Sequence, residues 1–478
     1  MCSCKGGAVA QKTYICIDLK TFYASVECVD RGCDPFTTNL VVADPDRSHT
    51  TICLAITPAM KRLGIHNRCR IFEIPPGVDY IMAKPRMRHY MEVSAQIYGI
   101  YLEYVSPEDI HAYSVDECFI DATPYLKLYR QTARGFAKTL MDTVRSRTGI
   151  YATAGIGPNL FLAKVALDIT AKHVDDGIGE LDQNEFRRSI WRHRPITDIW
   201  GIGPGIAARL AKYHVEDLMG VAALDANILY REFGVNAEYL IDHAHGIEPC
   251  TIAQIHAYRP QATSLMNGQV LSRDYSFEEA RTVMREMVDT SVLDLVERKV
   301  VCDQISLYVG YGRGEAPNQN IPSTCIDLKT HSALDDTVMI GKGRGRMQGG
   351  PLFRGEHGTR PAAGYGAFEH GGGQRKLSEK TNSFKSLMPC FEQLFDQTID
   401  PRRAVRRVNI GFGNLLPEEF ATYNLFTDLE AEAEERSLQE AVLSVKQRYG
   451  KNSLLKGTSF KQGATGRERN EQVGGHRA

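Results

Sequence analysis

Tyr14-Ile15-Cys16-Ile17-Asp18-Leu19-Lys20-Thr21-Phe22-Tyr23-Ala24-Ser25-Val26-Glu27 reads as a β-strand that ends at a carboxylate and turns at once into a helix. The apolar run before Asp18 has strand character, and helix-compatible residues start near Phe22. A strand-to-helix turn presents several free backbone N–H groups, a ready site for an anion. The same turn carries an acid, Asp18, and an aromatic pair, Phe22-Tyr23. One short stretch thus offers a metal ligand, a phosphate cradle and a ring that can meet a sugar. A second segment, Tyr113-Ser114-Val115-Asp116-Glu117-Cys118-Phe119-Ile120-Asp121, adds two more acids on a strand-like run. Grouped carboxylates repel and desolvate one another. A bound hard cation offsets that cost, and Mg²⁺ prefers oxygen ligands together with substrate phosphates. Taken alone, Asp116-Glu117 also reads as a solvated pair at a strand end.

Asp18 with Phe22-Tyr23-Ala24-Ser25-Val26-Glu27, followed about a hundred residues later by Ser114-Val115-Asp116-Glu117, resembles a Y-family DNA polymerase. The resemblance is to the UmuC/DinB group, closest to the UmuC-like translesion polymerases of Gram-positive bacteria, and extends with gaps from about residue 12 to about 460. It implies an α/β multidomain fold, a right hand with palm, small fingers, a helical thumb with a helix-hairpin-helix, and an α+β little finger. The corresponding ranges are 12–28 and 75–177 for the palm, 29–74 for the fingers, 178–245 for the thumb and 255–415 for the little finger. Residues 416–478 form a C-terminal tail.

Composition agrees with a multidomain globular protein. A chain of 478 residues can form two to four domains. No apolar run reaches the roughly 18–20 residues that span a bilayer, so no membrane partner is expected. Met1-Cys2-Ser3-Cys4-Lys5 lacks the build of a signal peptide. The twelve cysteines are scattered without a Cys-x-x-Cys pair, as expected of reduced thiols in a cytoplasmic protein. Cys2-Ser3-Cys4 could bind a soft metal, but reads rather as a frayed terminus. The net charge of −1 is uninformative, but its distribution is not. Residues 201–300 hold 9 Lys+Arg against 14 Asp+Glu, and residues 301–415 hold 15 against 11. The basic later segment suits a surface that follows a phosphate backbone, or is simply a solvated charge run.

Local patterns place the parts. Tyr113–Asp121 reads as a hairpin, Tyr125–Thr148 as a long helix, Tyr151–Ile156 as a strand and Leu160–His173 as a helix. Ile199-Trp200-Gly201-Ile202-Gly203-Pro204-Gly205 reads as a hairpin between helices. Its Gly201, Gly203 and Gly205 would let amides approach a DNA phosphate, with Lys212 a turn or so further on. A tight structural turn accounts for the same residues. Phe277–Glu297 and Phe384–Thr398 read as helices, Val300–Gly310 and Ala404–Phe412 as strands. Gly341–Gly373, with glycine about every third residue, reads as a mobile insertion of the little finger. Asp428–Tyr449 reads as an acidic helix, and the last fifteen residues as disordered. Thr422–Phe426 resembles a sliding-clamp peptide. It keeps Leu425-Phe426 but lacks the leading Gln, which leaves clamp docking open. Gln393-Leu394-Phe395 falls within an amphipathic pattern and reads as core.

The resemblance also implies the chemistry. Asp18 and Asp116 would bridge two Mg²⁺ ions, Glu117 would hold the ion at the primer 3′-OH, and the Leu19 carbonyl would complete the nucleotide-bound ion. The triphosphate would meet the amides of Thr21, Phe22 and Tyr23, the fingers residues Lys61 and Arg62, and the palm Lys164. Lys164 also reads as a partner for a carboxylate, and Lys61 and Arg62 as surface cations. Pro58 stands where many family members place a tyrosine, so one phosphate contact is missing or comes from Thr57. Tyr23 matches the steric gate that excludes a 2′-OH, or is core at a helix start. The expected function is low-fidelity, DNA-templated synthesis without proofreading, with primer-template DNA and dNTP as substrates. Its expected setting is the bacterial response to DNA damage beside other SOS proteins. The alternatives are a non-catalytic DNA-binding subunit of the same fold and a nucleotide cyclase with a related palm.

Overall fold

A computed structural model describes residues 12–46, 50–260, 262–315, 338–340, 369–423, 428–474 and 476–477. The chain divides between Arg259 and Pro260 into two compact units.

The first unit is organised by β1 (Tyr14–Leu19), the central strand of a five-stranded sheet. Tyr14 to Ile17 are all buried, as a strand covered on both faces requires. After β1 come α1 (Phe22–Asp30), β2 (Leu40–Val42), β3 (Ala55–Ile56), α2 (Pro58–Arg62), β4 (Ile81–Ala83) and α3 (Met87–Leu102). The chain continues through β5 (Ile110–Ala112), β6 (Glu117–Asp121), α4 (Thr123–Tyr129), α5 (Ala133–Thr148), β7 (Ala152–Gly157), α6 (Leu160–Asp168) and β8 (Ile178–Glu180). The sheet order is β5-β6-β1-β7-β8, with β1 antiparallel to both neighbours. A small sheet, β3-β2-β4, and α2 enclose Val41, Cys53, Ile56, Met60 and Cys69.

Helix α6 lies so close to β7 that only glycine fits between them. A Cβ on Gly155 would overlap the Ala163 carbonyl and the Leu167 amide, and one on Gly157 would lie 2.6 Å from the Ala163 nitrogen. Beyond β8 and the single-turn α7 (Gln183–Glu185), α8 (Pro204–Leu210), α9 (Leu218–Ala223), α10 (Ala226–Phe233) and α11 (Ala237–Ala244) share one apolar core. Helix α12 (Ile252–Ala257) returns to the first sheet, where Ile252 joins Tyr14, Cys16 and Phe119.

The second unit is built from β9 (Ser264–Tyr275), α13 (Phe277–Glu297), β10 (Val300–Glu315), β11 (Val338–Ile340), β12 (His370–Thr381), α14 (Phe384–Thr398) and β13 (Arg403–Gly413). Its main sheet runs β11-β12-β10-β13-β9. The core includes Met284, Met287, Leu307, Phe391, Leu394, Phe395 and Phe412. The short β14 (Leu416–Pro417) pairs with β10. Helix α15 (Leu429–Tyr449) buries Glu435, which accepts hydrogen bonds from Ser383 Oγ at 2.8 Å and the Lys385 amide at 3.1 Å. That carboxylate sits at the start of α14, where it complements the helix dipole.

Several sequence-based boundaries move. Residues 81–83, within the range expected to continue the large sheet, pair with β2 instead. Residues 178–180, within the range expected to be helical, pair with β7. The run Tyr125–Thr148 is two helices, broken at Arg130 in a left-handed conformation (φ 54°). Helix α6 stops at Asp168, and Thr170–His173 is a separate 3₁₀ turn. Gly371–Gly373 are not part of an insertion but belong to β12. A Cβ on Gly372 would overlap the Leu307 carbonyl, so these glycines serve a close strand approach. Residues 341–368 lie outside the described residues.

The expectation of a disordered end also fails. Helix α16 (Gly466–Asn470) docks on α13, where buried Glu286 accepts the Thr465 and Gly466 amides at 2.8 and 3.0 Å. Polar composition hid this contact, because one buried carboxylate supplies the anchor. Within Gln393-Leu394-Phe395 the apolar pair is core as read: Leu394 and Phe395 are fully buried, while Gln393 is exposed.

Candidate active site

Register brings the acids together. Asp18 lies opposite Glu117 across β1 and β6. Directly opposed residues project to the same face of a sheet. Asp116 precedes β6, and its carbonyl accepts the Leu19 amide at 2.8 Å, which ties the second acid to the end of β1. Ser114 shapes the turn between them. Its Oγ donates to Asp116 Oδ1 at 2.7 Å and accepts the Glu117 amide at 3.0 Å.

The electrostatics show an excess of negative charge. Burial pushes the Asp18 carboxyl well above its ordinary range, and the Asp116 and Glu117 charges push it further. Burial likewise raises Glu117, against the opposing pull of Lys164. The Glu117 Oε2 is buried without a hydrogen-bond partner. An orphaned carboxylate oxygen beside two further acids fits a hard divalent cation. Among the described residues no three metal-ligating side chains close into a cage. Mg²⁺ commonly binds through one or two carboxylates plus substrate phosphates, so an open set suits it. Asp116 would exchange its bond from Ser114, and Glu117 its contact with Lys164, on binding.

The turn after β1 has the expected form. Thr21 is left-handed (φ 49°), which places the Phe22 and Tyr23 amides at the start of α1. Phe22 is buried in the core. Tyr23 is half-buried and stacks on Tyr90, with ring centroids 4.7 Å apart. Tyr90 is itself held by Glu27, whose Oε1 accepts the tyrosine O–H at 2.7 Å and the Arg86 Nε–H at 2.8 Å. Glu27 is fully buried and also pairs with Arg31. The gate candidate therefore rests on a ring fixed by a buried ionic cluster, an arrangement spread over α1 and α3 that the sequence does not announce.

The cations sort differently from expectation. Lys61 faces Asp18 but is also near Lys20 and Lys172; burial, followed by those two ammonium groups, lowers its pKa against the pull of Asp18. Lys20 and Lys172 were missed in the sequence, although Lys20 lies two residues from Asp18. Lys164 is 4% exposed and contacts Glu117, and it lies 2.9 Å from Asp168. Those carboxylates outweigh burial and hold its pKa above the ordinary lysine value. Its partners are acids, and a lysine whose charge reaches Lys61 is instead Lys172. Arg62 donates to the Phe36 carbonyl. Thr57 does not replace the missing tyrosine contact. Its hydroxyl is buried, donates to the Thr38 carbonyl at 2.8 Å and caps α2.

At the hairpin, Gly201 is left-handed (φ 87°), and a Cβ on Gly201, Gly203 or Gly205 would meet open space. The glycines leave the turn accessible. Lys212 lies beyond the end of α8 and faces Glu232 at 3.6 Å, further along than a single turn. Leu425 and Phe426 lie outside the described residues.

Comparison with known proteins shows the family. The impB/mucB/samB family matches residues 17–168, and its C-terminal domain matches residues 262–425. UvrX of Bacillus subtilis is 31% identical over 328 residues, 68% of this chain and 77% of that one. DNA polymerase IV 2 of the same organism is 28% identical over 477 residues, 98% of this chain and 99% of that one. Among solved structures, the Y-family DNA polymerase chimera Dbh-Dpo4(243-245)-Dbh shares the fold at a TM-score of 0.55, with 16% identity. That match covers 84% of this chain and 99% of that one. From the acid pair on β1 and β6 to the sheet of the second unit, the chain belongs to the impB/mucB/samB family, the UmuC/DinB group of Y-family DNA polymerases.

Proposed function

We propose that this polymerase is of the translesion type, extending a DNA primer with deoxynucleotides at a site built on Asp18, Asp116 and Glu117. The observation that carries the site assignment is the opposition of Asp18 and Glu117 across two paired strands, with an orphaned carboxylate oxygen between acids. Two Mg²⁺ ions, when bound, lower the pKa of the primer 3′-OH and take up charge on the leaving oxygen. Asp18 and Asp116 would hold both ions, with the Leu19 carbonyl on the nucleotide side and Glu117 on the primer side. The amides of Thr21, Phe22 and Tyr23 would receive the triphosphate, and Lys61, Lys20 and Lys172 would balance its charge. The Tyr23 ring would close the space beneath C2′. The open turn at Gly201–Gly205 would follow a DNA phosphate.

The small β3-β2-β4 fingers sheet encloses the nascent pair loosely, which limits discrimination by shape. Among the described residues no helix is long and apolar enough to cross a membrane. The test is primer extension on undamaged and lesion-bearing templates with Mg²⁺. The parent chain should extend both, and Asp116→Ala should extend neither. Extension by that variant at the parental rate would refute the assignment of the acids.

A further inference from the structure

The turn that carries the acids is anchored by a residue from the helical region behind it. Trp200 immediately precedes Gly201, the left-handed residue of the phosphate-side hairpin. Its indole Nε1–H donates to the Tyr113 hydroxyl at 3.0 Å. The rings meet edge to face, with centroids 5.9 Å apart and planes at 79°. Trp200 also packs on Phe119 of β6 at 6.0 Å and stacks on His243 of α11 at 6.0 Å.

Tyr113 in turn closes the acid turn. Its amide donates to the Glu117 carbonyl at 2.9 Å, and the Ser114 amide donates to the same oxygen at 3.1 Å. Its ring lies beneath the Lys164 ammonium, 6.0 Å from the centroid, and Lys164 contacts Glu117. The residue at the entrance of the hairpin is therefore one hydrogen bond from the residue that fixes Asp116 and Glu117.

The geometry points to Trp200 as a positioning residue: through Tyr113 it holds the Ser114–Glu117 turn in register, and it links that turn mechanically to the hairpin at Gly201–Gly205. This rests on the polymerase reading of the same acids. The indole N–H is the specific element, since edge-to-face packing survives replacement by another ring while the hydrogen bond does not.

Two variants test it, Trp200→Phe and Tyr113→Phe, each keeping a ring and losing the bond. In the metal-free full chain, amide exchange at Ser114–Glu117 should accelerate about five-fold in either variant, the effect of one neutral hydrogen bond. Exchange in α5 should stay at the parental rate, which also verifies that the variants fold. In primer extension, kcat should fall about five-fold while KM for primer-template stays within about two-fold. The double variant should be no worse than either single one. Unchanged exchange at Ser114–Glu117, a loss lying wholly in KM for primer-template, or additive losses in the double variant would each overturn the inference. A parent chain that fails to extend primers would instead sink the polymerase reading, and the exchange comparison would still decide the role of Trp200.

Discussion

Replacing Lys164 with methionine separates two roles for this lysine. Its side chain is 4% exposed and that of Glu117 is 7% exposed, and Lys164 is the cation that neutralises Glu117, whereas Lys164 itself is also held by Asp168. Asp168, on the same helix, is 30% exposed and remains solvated. Methionine keeps the aliphatic stem but leaves Glu117 buried and uncompensated, with Oε2 already lacking a partner. Removing one member of a buried ion pair costs about 3–5 kcal/mol. For a unit the size of the first, each kcal/mol moves Tm by about 2–4 °C, which gives a fall of about 6–20 °C. Glu117→Gln on its own should cost about 1–3 kcal/mol, because Lys164 keeps Asp168. The double variant Glu117→Gln/Lys164→Met removes both charges and should recover at least about 2 kcal/mol relative to the sum. The assay is calorimetric unfolding of the four chains at pH 7 without metal. If Lys164→Met unfolds at the parental temperature and only raises KM for the deoxynucleotide, the ion-pair argument is wrong and Lys164 is a phosphate ligand.

Further outcomes follow from the same contacts. Lys172→Ala should raise KM for the deoxynucleotide with Tm within about 2 °C of the parent; an unchanged KM would remove Lys172 from the phosphate site. Tyr23→Ala opens the space beneath the sugar and should raise ribonucleotide incorporation at least about ten-fold, measured by single-nucleotide insertion, with a stability loss of about 1 kcal/mol from the lost stacking on Tyr90. Gly155→Ala drives a methyl into the α6 backbone and should cost about 3 kcal/mol or more in chemical denaturation; a neutral result would mean that α6 can slide on β7. Glu27→Gln should destabilise by about 1–3 kcal/mol at neutral pH. Burial opposes the Glu27 charge, but Arg86, Tyr90 and Arg31 overcome it and hold its pKa below the ordinary value. Its contribution is therefore present above the ordinary carboxylate range and is lost as pH falls through the depressed value. The gap between parent and variant should narrow in unfolding titrations over that acid range.

Much of the architecture was legible in the chain. The apolar run ending at Asp18, the turn that follows it and the helix from Phe22 follow local patterns that need no distant partner. The same holds for the amphipathic helix containing Leu394 and Phe395. The misreadings share a cause. Gly371–Gly373 resemble a loop by composition, yet they are strand glycines because β10 and β12 approach closely. The end of the chain looks unstructured, yet Glu286 captures its amides from 179 residues away in sequence.

Within the site, the sequence by itself supplied the candidates: Asp18, Asp116, Glu117 and Tyr23 are the residues that the resemblance to Y-family polymerases singles out. The tertiary structure alone decided how they are held. Asp18 opposes Glu117 because β1 and β6 pair in one register, and a slip of one residue would send Glu117 to the other face. Lys164 contacts Glu117 from within α6, and Lys172 follows on the separate 3₁₀ turn after the helix stops at Asp168. Tyr90 beneath Tyr23, and Trp200 on Tyr113, join residues 67 and 87 positions apart. Charge pairing and ring packing depend on distance in space, and local sequence patterns carry no record of which distant side chain arrives.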